Sequence, residues 1–484
     1  MGETDERRQP VKAQLGLWDA VSIIVGIVIG STIFRTPPVI FSNVSGPWMA
    51  LGVWLLGGVL SLIGAFCYAE LTTTYPRSGG DYVYLTRAFG RPVGFLFGWA
   101  QLAVILTGSI GAMAFIFAEY AVEYAGIEAE RREPLLVGLA VAAVVGLSLL
   151  NILGVSLGKV VQNVLSLVKV LGLAGVVVAG VVWGPAEYRT AAAWSVEFPP
   201  QVGFGVAMIL VLYAYGGWND AAFVAAEVRD KKNLPRALIL GTALVTLIYL
   251  AVNAAYLLGL GFEEARKFRP IAADVLALPL HRLGFQAMCL LVMVAALGAI
   301  NGLIFTGSRL YSSLGAEHRV FAVLGRWHPL LGSPLWSLLV QMVLSVAMIL
   351  LVGAQAGRDL IDAALLRLGL EPMPWERYFG GFETLFAGTA PVFWGFFLLT
   401  GIALFVLRVK DRGIERPFAL PVPFFPLLPL IFCGMCLYGL WSAATYARWV
   451  TLIGVVPLLA GVPLYFVSYL ERRRGDWPSP GSAH

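Results

Sequence analysis

Val25-Gly26-Ile27-Val28-Ile29-Gly30-Ser31-Thr32-Ile33-Phe34 lies in the middle of the first long apolar segment, about where a bilayer midplane would fall. Gly30-Ser31-Thr32 sets a glycine, a hydroxyl and a β-branched residue in a row, a poor place to continue a helix. In lipid, backbone that leaves the helix needs partners in protein or in a water-lined cavity. A helix that opens here offers free N–H and C=O groups to a small zwitterion. A helix that runs on uses Gly26 and Gly30, four residues apart, as a packing face. The local sequence allows both, and the rest of the chain has to decide.

With 484 residues, 58% hydrophobic and 13% charged, and a mean hydropathy of +0.79, most of the apolar surface would find no core in a soluble domain. The composition specifies a polytopic membrane protein that lives in the lipid bilayer. Apolar runs near or above ~20 residues, enough to cross a hydrocarbon core, fall at about 15–44, 47–74, 92–122, 135–153, 157–183, 201–228, 237–260, 283–314, 335–353, 383–407, 422–443 and 449–470. The expectation is therefore an all-α protein with 12 transmembrane helices, no soluble domain, and tails at 1–14 and 471–484. The net charge of +5 would suit an anionic partner, but the placement of the charges gives another reason for it. Of the 34 Lys and Arg, 21 fall on one side of this topology and ten on the other, with Arg35, Lys169 and Arg282 inside spans. That bias places both termini in the cytoplasm and points to no nucleic acid. Cys67, Cys289, Cys433 and Cys436 all fall in apolar spans and read as packing residues, with no metal spacing among Cys or His. Residues 1–14 show no cleavable signal.

A second interruption stands mid-span in the sixth segment, at Tyr213-Ala214-Tyr215-Gly216-Gly217-Trp218-Asn219-Asp220. Adjacent glycines followed by Asn and Asp are costly at membrane depth unless they border a cavity. The two breaks are five spans apart, and an odd number inverts one half relative to the other. Broken helices at matching positions of two halves point to a transporter site. In the outer loop at 354–382, Leu360, Ile361, Ala364, Leu365 and Leu368 recur at helical spacing, which predicts a helix lying at the outer interface, or alternatively a lid.

Several motifs, taken in order, resemble the amino acid–polyamine–organocation superfamily and are most similar to its L-type amino acid transporter branch. They are Gly30-Ser31-Thr32-Ile33-Phe34, Tyr68-Ala69-Glu70-Leu71, Pro76 to Tyr82, Ala214 to Asn219, Asn233-Leu234-Pro235-Arg236 and Asn301 to Arg309. The resemblance implies a 5+5 inverted repeat with discontinuous helices 1 and 6, the repeats spanning 15–183 and 184–407, plus two extra helices at 408–470. It also implies movement of amino acids by alternating access. The backbone reading agrees on the site. N–H groups near Ser31, Thr32 and Ile33 can meet a carboxylate, carbonyls near Val28 and at Tyr213, Ala214 and Gly216 can meet an ammonium, and Gly30 at the break is a further substrate-binding candidate. By resemblance, Tyr213 and Asn219 line the pocket; helix packing is the other reading for Tyr213 and Trp218.

Thr32 stands where the family's first motif has a second glycine. Asp220 stands where the mammalian members of this branch are uncharged. It either favours the start of the inner half-helix, meets a second positive group on a substrate, or pairs with Arg35. Arg35, one turn past the first break, either reaches a wet outer vestibule, pairs with a carboxylate such as Asp220, or touches substrate. Glu70, at the inner end of the second span, reads as a salt bridge within an inner gate, and Arg35 and Trp218 are further gate candidates. Lys169 sits mid-span, where an unpaired lysine costs ~3 kcal/mol on insertion scales. Similar proteins carry a lysine there in place of the sodium ion of sodium-coupled relatives, which implies sodium independence.

The sequence thus favours a secondary transporter of neutral amino acids, as exchanger or facilitator, in the plasma (inner) membrane. Proton-coupled symport, or transport of cationic amino acids or polyamines, is the alternative. An intramembrane enzyme lacks its constellation of nucleophile, base or metal ligands, a channel lacks a filter-like loop, and no cofactor is implied. Mammalian members hold a heavy subunit through a cysteine in the loop after the third span. Residues 121–134 contain none, so the expectation is a monomer or homo-oligomer without a disulfide-linked heavy subunit.

Overall fold

A computed structural model describes residues 14–473, apart from 128–131, 202, 231, 268–269, 368, 370, 374 and 376–380. The tails anticipated at 1–14 and 471–484 therefore lie almost wholly outside the described residues, as do parts of the loops 121–134 and 354–382.

The described chain is helical throughout. The first segment breaks into α1 (Leu17–Val28), α2 (Thr32–Arg35) and α3 (Pro37–Ser42), followed by α4 (Pro47–Thr74) and α5 (Asp81–Phe89). A single π-helical turn, Gln101–Ile105, joins α6 (Arg91–Ala100) to α7 (Leu106–Ala125). Next come α8 (Arg132–Ile152), α9 (Val155–Trp183) and the short α10 (Ala191–Trp194). The sixth segment is α11 (Phe204–Ala214) followed by a 3₁₀ helix, Trp218–Glu227. The remainder is α12 (Asn233–Ala265), α13 (Ile271–Leu280), α14 (Gly284–Glu317), α15 (Leu335–Gly353), α16 (Gln355–Arg367), α17 (Gly381–Lys410), α18 (Phe424–Ala447) and α19 (Leu452–Arg473). Among the described residues, ten helices are long and apolar enough to cross a membrane. The first and sixth segments are missing from that number because each is interrupted.

Both interruptions fall where the sequence places them. Past Val28, Ile29 leaves the helical region and the Gly30 N–H turns back to the Val28 carbonyl at 2.9 Å. Past Ala214, Gly217 adopts φ +103°, and a Cβ there would lie 2.6 Å from Ile27 of α1. The two breaks are thus pressed together at a spot that accepts only glycine. The inner half of the sixth segment is 3₁₀ rather than α-helical. Asp220 donates its backbone N–H to the Gly217 carbonyl, and no side chain caps that turn.

The long helices are turned inside out relative to a soluble bundle. On α9 the buried residues Gly158, Gln162, Ser166, Lys169, Leu173 and Val176 recur at helical spacing. Val160, Val164, Leu167 and Leu171 face outward and are about half exposed or more, as a lipid-facing surface requires. Gly26 is essential to this packing, because a Cβ there would overlap Gln162.

Three expectations need correction. Residues 271–280 form a buried helix that the hydropathy reading passed over as loop, because ten residues are too few to register as a span. Arg282 lies in the exposed turn before α14 rather than in a span. Arg309, one of the 21 charges assigned above to the cytoplasmic side, is not a surface charge there: it is 2% exposed and pairs with the equally buried Glu227 at 2.7 Å. At the start of the chain, Gln14 and Leu15 donate their N–H groups to the Glu227 carbonyl, so this residue holds α14 by its side chain and the N-terminus by its backbone. The outer helix α16 forms as its spacing predicts. Ile361 and Leu365 face Met373, Ala387 and Val450, while Leu360 remains exposed.

Removing one partner of a buried ion pair strands the other charge, at about 3–5 kcal/mol. Glu227→Gln and Arg309→Met should each lower the thermal midpoint of the detergent-solubilised protein sharply. The double variant should recover most of the loss in a double-mutant cycle.

Candidate functional site

The breaks border one cavity. It takes in about 1020 Å³ of atom-free space, the open solvent at its mouth included. Val28, Gly30 and Thr32 from the first segment and Tyr213, Gly216 and Asp220 from the sixth lie along its wall. Six of the ten residues read as substrate-binding therefore meet there. Ser31, Ile33, Ala214 and Asn219 stand behind the wall, each 3% exposed or less. Ser31 keeps a buried hydroxyl with no hydrogen-bond partner, and the Asn219 amide donates to Asp220 at 3.1 Å.

How the freed backbone groups are satisfied defines the chemistry. Lys169, fully buried on α9, donates its ammonium to the Gly26 carbonyl at 2.8 Å and to the Ile29 carbonyl. Ser166 and Gln162, one and two turns before it, both donate to the Ser22 carbonyl, the former at 2.9 Å. Asn301 of α14 donates to Gln162 at 2.8 Å and accepts from Asn151 at 2.8 Å. The lysine therefore ends a polar ladder that fastens α9 to α1.

On the opposite side, the Tyr249 hydroxyl lies 3.0 Å from both the Val28 and the Ala214 carbonyls. A hydroxyl carries one proton, so it can serve only one of them at a time. Two turns further along α12, Tyr256 donates to the Ile33 carbonyl at 3.2 Å. Two carbonyls expected to face an ammonium, those of Val28 and Ala214, thus share one donor, and the Tyr213 carbonyl accepts the Gly216 N–H at 3.0 Å, which moves the acceptor role toward Gly216 and whichever carbonyl Tyr249 leaves open. Among the described residues, no acceptor stands opposite the N–H groups of Ser31, Thr32 or Ile33. These three donors remain free, as a carboxylate requires.

The gate candidates separate. Arg35 pairs with Glu119 at 3.1 Å, both partly exposed, and not with Asp220. The expected type of partner is right, but it comes from the third span. Trp218 is buried with its ring 5.0 Å from Tyr68 and 5.6 Å from Phe397, which is packing and not cavity lining. Glu70, 1% exposed, accepts from Arg408 at 2.6 and 2.7 Å and from the Leu420 N–H at 2.8 Å, with Arg416 at 3.4 Å. Beside this cluster, Asp411 binds Arg87 and accepts from the Tyr75 hydroxyl at 2.7 Å; the Arg87 guanidinium holds its carboxyl below the usual range.

Tyr249 and Gln101 escaped the sequence reading. A tyrosine in an apolar span reads as packing, and only the stripe Tyr249, Asn253, Tyr256 on one face of α12 could have signalled otherwise. Gln101, 4% exposed, opens the π-helical turn, borders the cavity, and keeps an unpartnered side-chain oxygen. Such turns recur at functional sites.

Tyr249→Phe keeps the ring stacking against Trp54 and Tyr215 but strips one donor from two carbonyls. The carbonyl left unpaired should cost about 1–3 kcal/mol of stability. The thermal midpoint should therefore fall, as calorimetry and thermal-shift measurement would show, and saturating substrate should recover part of the loss.

The amino acid permease family model matches residues 15–462. The human large neutral amino acids transporter small subunit 2 is 31% identical over 94% of this chain and 80% of its own length. The human b(0,+)-type amino acid transporter 1 is 30% identical, over 94% and 88% respectively. The serine/threonine exchanger SteT of Bacillus subtilis is 27% identical, over 94% and 97%. These relatives are transporters, so the chain is no enzyme but a multi-pass membrane protein of amino acid transport, and it belongs to the amino acid permease family within the amino acid–polyamine–organocation superfamily.

Proposed function

We propose that this protein carries neutral L-amino acids across the plasma (inner) membrane by alternating access, without sodium, as an exchanger or facilitator. The observation that carries the reading is the cavity bordered by both broken helices, with three unpaired N–H groups at the start of α2. Backbone donors and acceptors fix the part common to all α-amino acids. The apolar wall of Ile105, Met113, Phe393 and Trp394 suits an uncharged side chain. The two interrupted segments add to the ten unbroken spans to give twelve, with repeats at 15–183 and 184–407, an outer insertion at 354–382, two further helices at 408–470, and both termini in the cytoplasm. On this reading the Glu70–Arg408 cluster and the Glu227–Arg309 pair form the inner gate, and Arg35–Glu119 belongs to the outer one.

Sodium independence rests on Lys169, whose ammonium occupies the carbonyls of Gly26 and Ile29. A second reading, cationic amino acids or polyamines, is favoured by Asp220 on the cavity wall. The human relative is named a small subunit. In this chain residues 121–134 hold no cysteine and all four cysteines fall in helices, which supports a monomer or homo-oligomer with no disulfide-linked heavy subunit.

Proteoliposomes loaded with unlabelled leucine should take up labelled leucine equally well with sodium or choline outside. Failure of every amino acid in such a panel would refute the assignment, and competition by arginine or putrescine would favour the second reading. Lys169→Ala removes two hydrogen bonds from a charged donor, each worth about 1.5–3 kcal/mol. Uptake should fall at least ~tenfold; wild-type uptake would make the lysine purely structural.

A further inference from the structure

Two buried carboxylates stand at the cytoplasmic side of the cavity with no cation to balance them. Asp220 is 7% exposed and lies along the cavity wall. Asp81, the first residue of α5, is 2% exposed and does not reach the wall. Among the described residues neither forms an ion pair with Lys, Arg or His. Asp81 Oδ1 accepts from the Tyr68 hydroxyl and, at 2.7 Å, from the Thr400 hydroxyl, while its Oδ2 has no partner.

The two sites are mechanically joined. The Gly79 N–H donates to the Phe223 carbonyl at 3.1 Å, so the loop before α5 is bound to the 3₁₀ half-helix that begins beside Asp220. The Tyr68 ring, whose hydroxyl holds Asp81, packs against Trp218. The titratable groups facing Asp81 are Tyr68 from α4, Tyr84 from α5 itself and Asp220 from the 3₁₀ helix. Those facing Asp220 are Asp81 and Tyr311 of α14. None carries a positive charge.

A buried carboxylate without a cation is stable only if it takes up a proton or a counter-ion. A substrate in the cavity can meet Asp220 but not Asp81. A metal ion is poorly served at Asp81, whose two side-chain neighbours both direct hydroxyl protons at it. We propose that Asp220 and Asp81 form a proton-carrying pair, so that a proton moves with each amino acid. Asp220 takes the proton from the cavity, its oxygen electron pair forming the O–H bond. That bond breaks as water carries the proton on to Asp81 Oδ2, which has no partner in the protein, and Asp81 releases it to the cytoplasm when the half-helix draws the Gly79 loop aside. Burial pushes the Asp81 carboxyl, which lies outside the membrane spans, up to about 6, within range of cytoplasmic exchange. The proposal rests on the reading of this chain as an amino acid transporter and takes proton-coupled symport in place of the exchanger or facilitator mode.

The test is paired flux in proteoliposomes containing a pH-sensitive dye, with labelled amino acid uptake measured on the same preparation. Wild type should acidify the lumen in fixed proportion to uptake. Asp81→Asn should keep uptake yet lose the acidification, and Asp220→Asn should lower the ratio of protons to amino acid. If Asp81→Asn does not fold, Thr400→Val provides the second arm. Loss of a hydroxyl donor disfavours the ionised Asp81, so the pH midpoint of uptake should rise by about one unit. Uptake without acidification in wild type overturns the proposal and leaves the transport reading intact, whereas absence of any uptake overturns the transport reading itself. Acidification that survives both aspartate variants but vanishes in Lys169→Ala also overturns the proposal.

Discussion

A membrane interior gives peptide groups no water to bond with, and the architecture follows from that constraint. Opening the first and sixth segments frees carbonyls and N–H groups at a depth where each unpaired group costs several kcal/mol. The protein answers with side chains from the two flanking helices. Lys169 takes the carbonyls of Gly26 and Ile29, Tyr249 one at a time of those of Val28 and Ala214, and Tyr256 that of Ile33. The acceptors are thus largely satisfied. The donors of Ser31, Thr32 and Ile33 are not. The imbalance fits a site for the carboxylate of an amino acid, with only its remaining demand left to the substrate.

The fold was legible wherever a residue type is expensive in lipid. Glycines in the middle of apolar runs, a lysine at mid-span and Asn219-Asp220 at depth all carry a cost that only special surroundings remove, and so they marked the two breaks and the anchor on α9. Tyr249 carries no such cost, since a buried tyrosine is ordinary packing until its hydroxyl is seen between two carbonyls. Arg309 misled for a related reason. At the end of a long span it reads as a surface charge, yet α14 continues to Glu317, a little over two turns beyond, and keeps the guanidinium inside against Glu227. The partner of Arg35 was hidden because Glu119 lies 84 positions away in sequence, and nothing local specifies such a contact. The 3₁₀ geometry of Trp218–Glu227 was equally silent, because its composition suits either kind of helix.

Close packing makes the two broken segments behave as one body. Gly217 admits Ile27 where any side chain would collide, and Gly302 of α14 lies against the same isoleucine. A shift of the sixth segment alone would drive its backbone into α1. The chain ends of these segments are tied as well, through the Leu15 and Val228 pairing and the Glu227 carbonyl. Rigid coupling of the first and sixth segments means that, on the proposed transport reading, they move as one unit with the site between them. Such a unit suits a carrier whose cargo is held by backbone groups, since the grip does not change as the access changes.

Lys169 limits how such movement proceeds. Placing its ammonium mid-span costs ~3 kcal/mol on insertion scales, and two hydrogen bonds of the charged kind, about 1.5–3 kcal/mol each, offset it only while both carbonyls stay within reach. A displacement of α1 along α9 by one turn would break both bonds, a loss of about 3–6 kcal/mol, and leave the charge uncompensated. The ladder of Gln162 and Ser166 below it adds further bonds to the Ser22 carbonyl that would break in the same step. The energetically open course is therefore for α9 to tilt with α1 about the buried asparagine–glutamine cluster at Asn151, Gln162 and Asn301, rather than slide past it. The glycine at 26 fits this view: contact too close for a methyl group resists sliding but permits a small rotation about the contact itself.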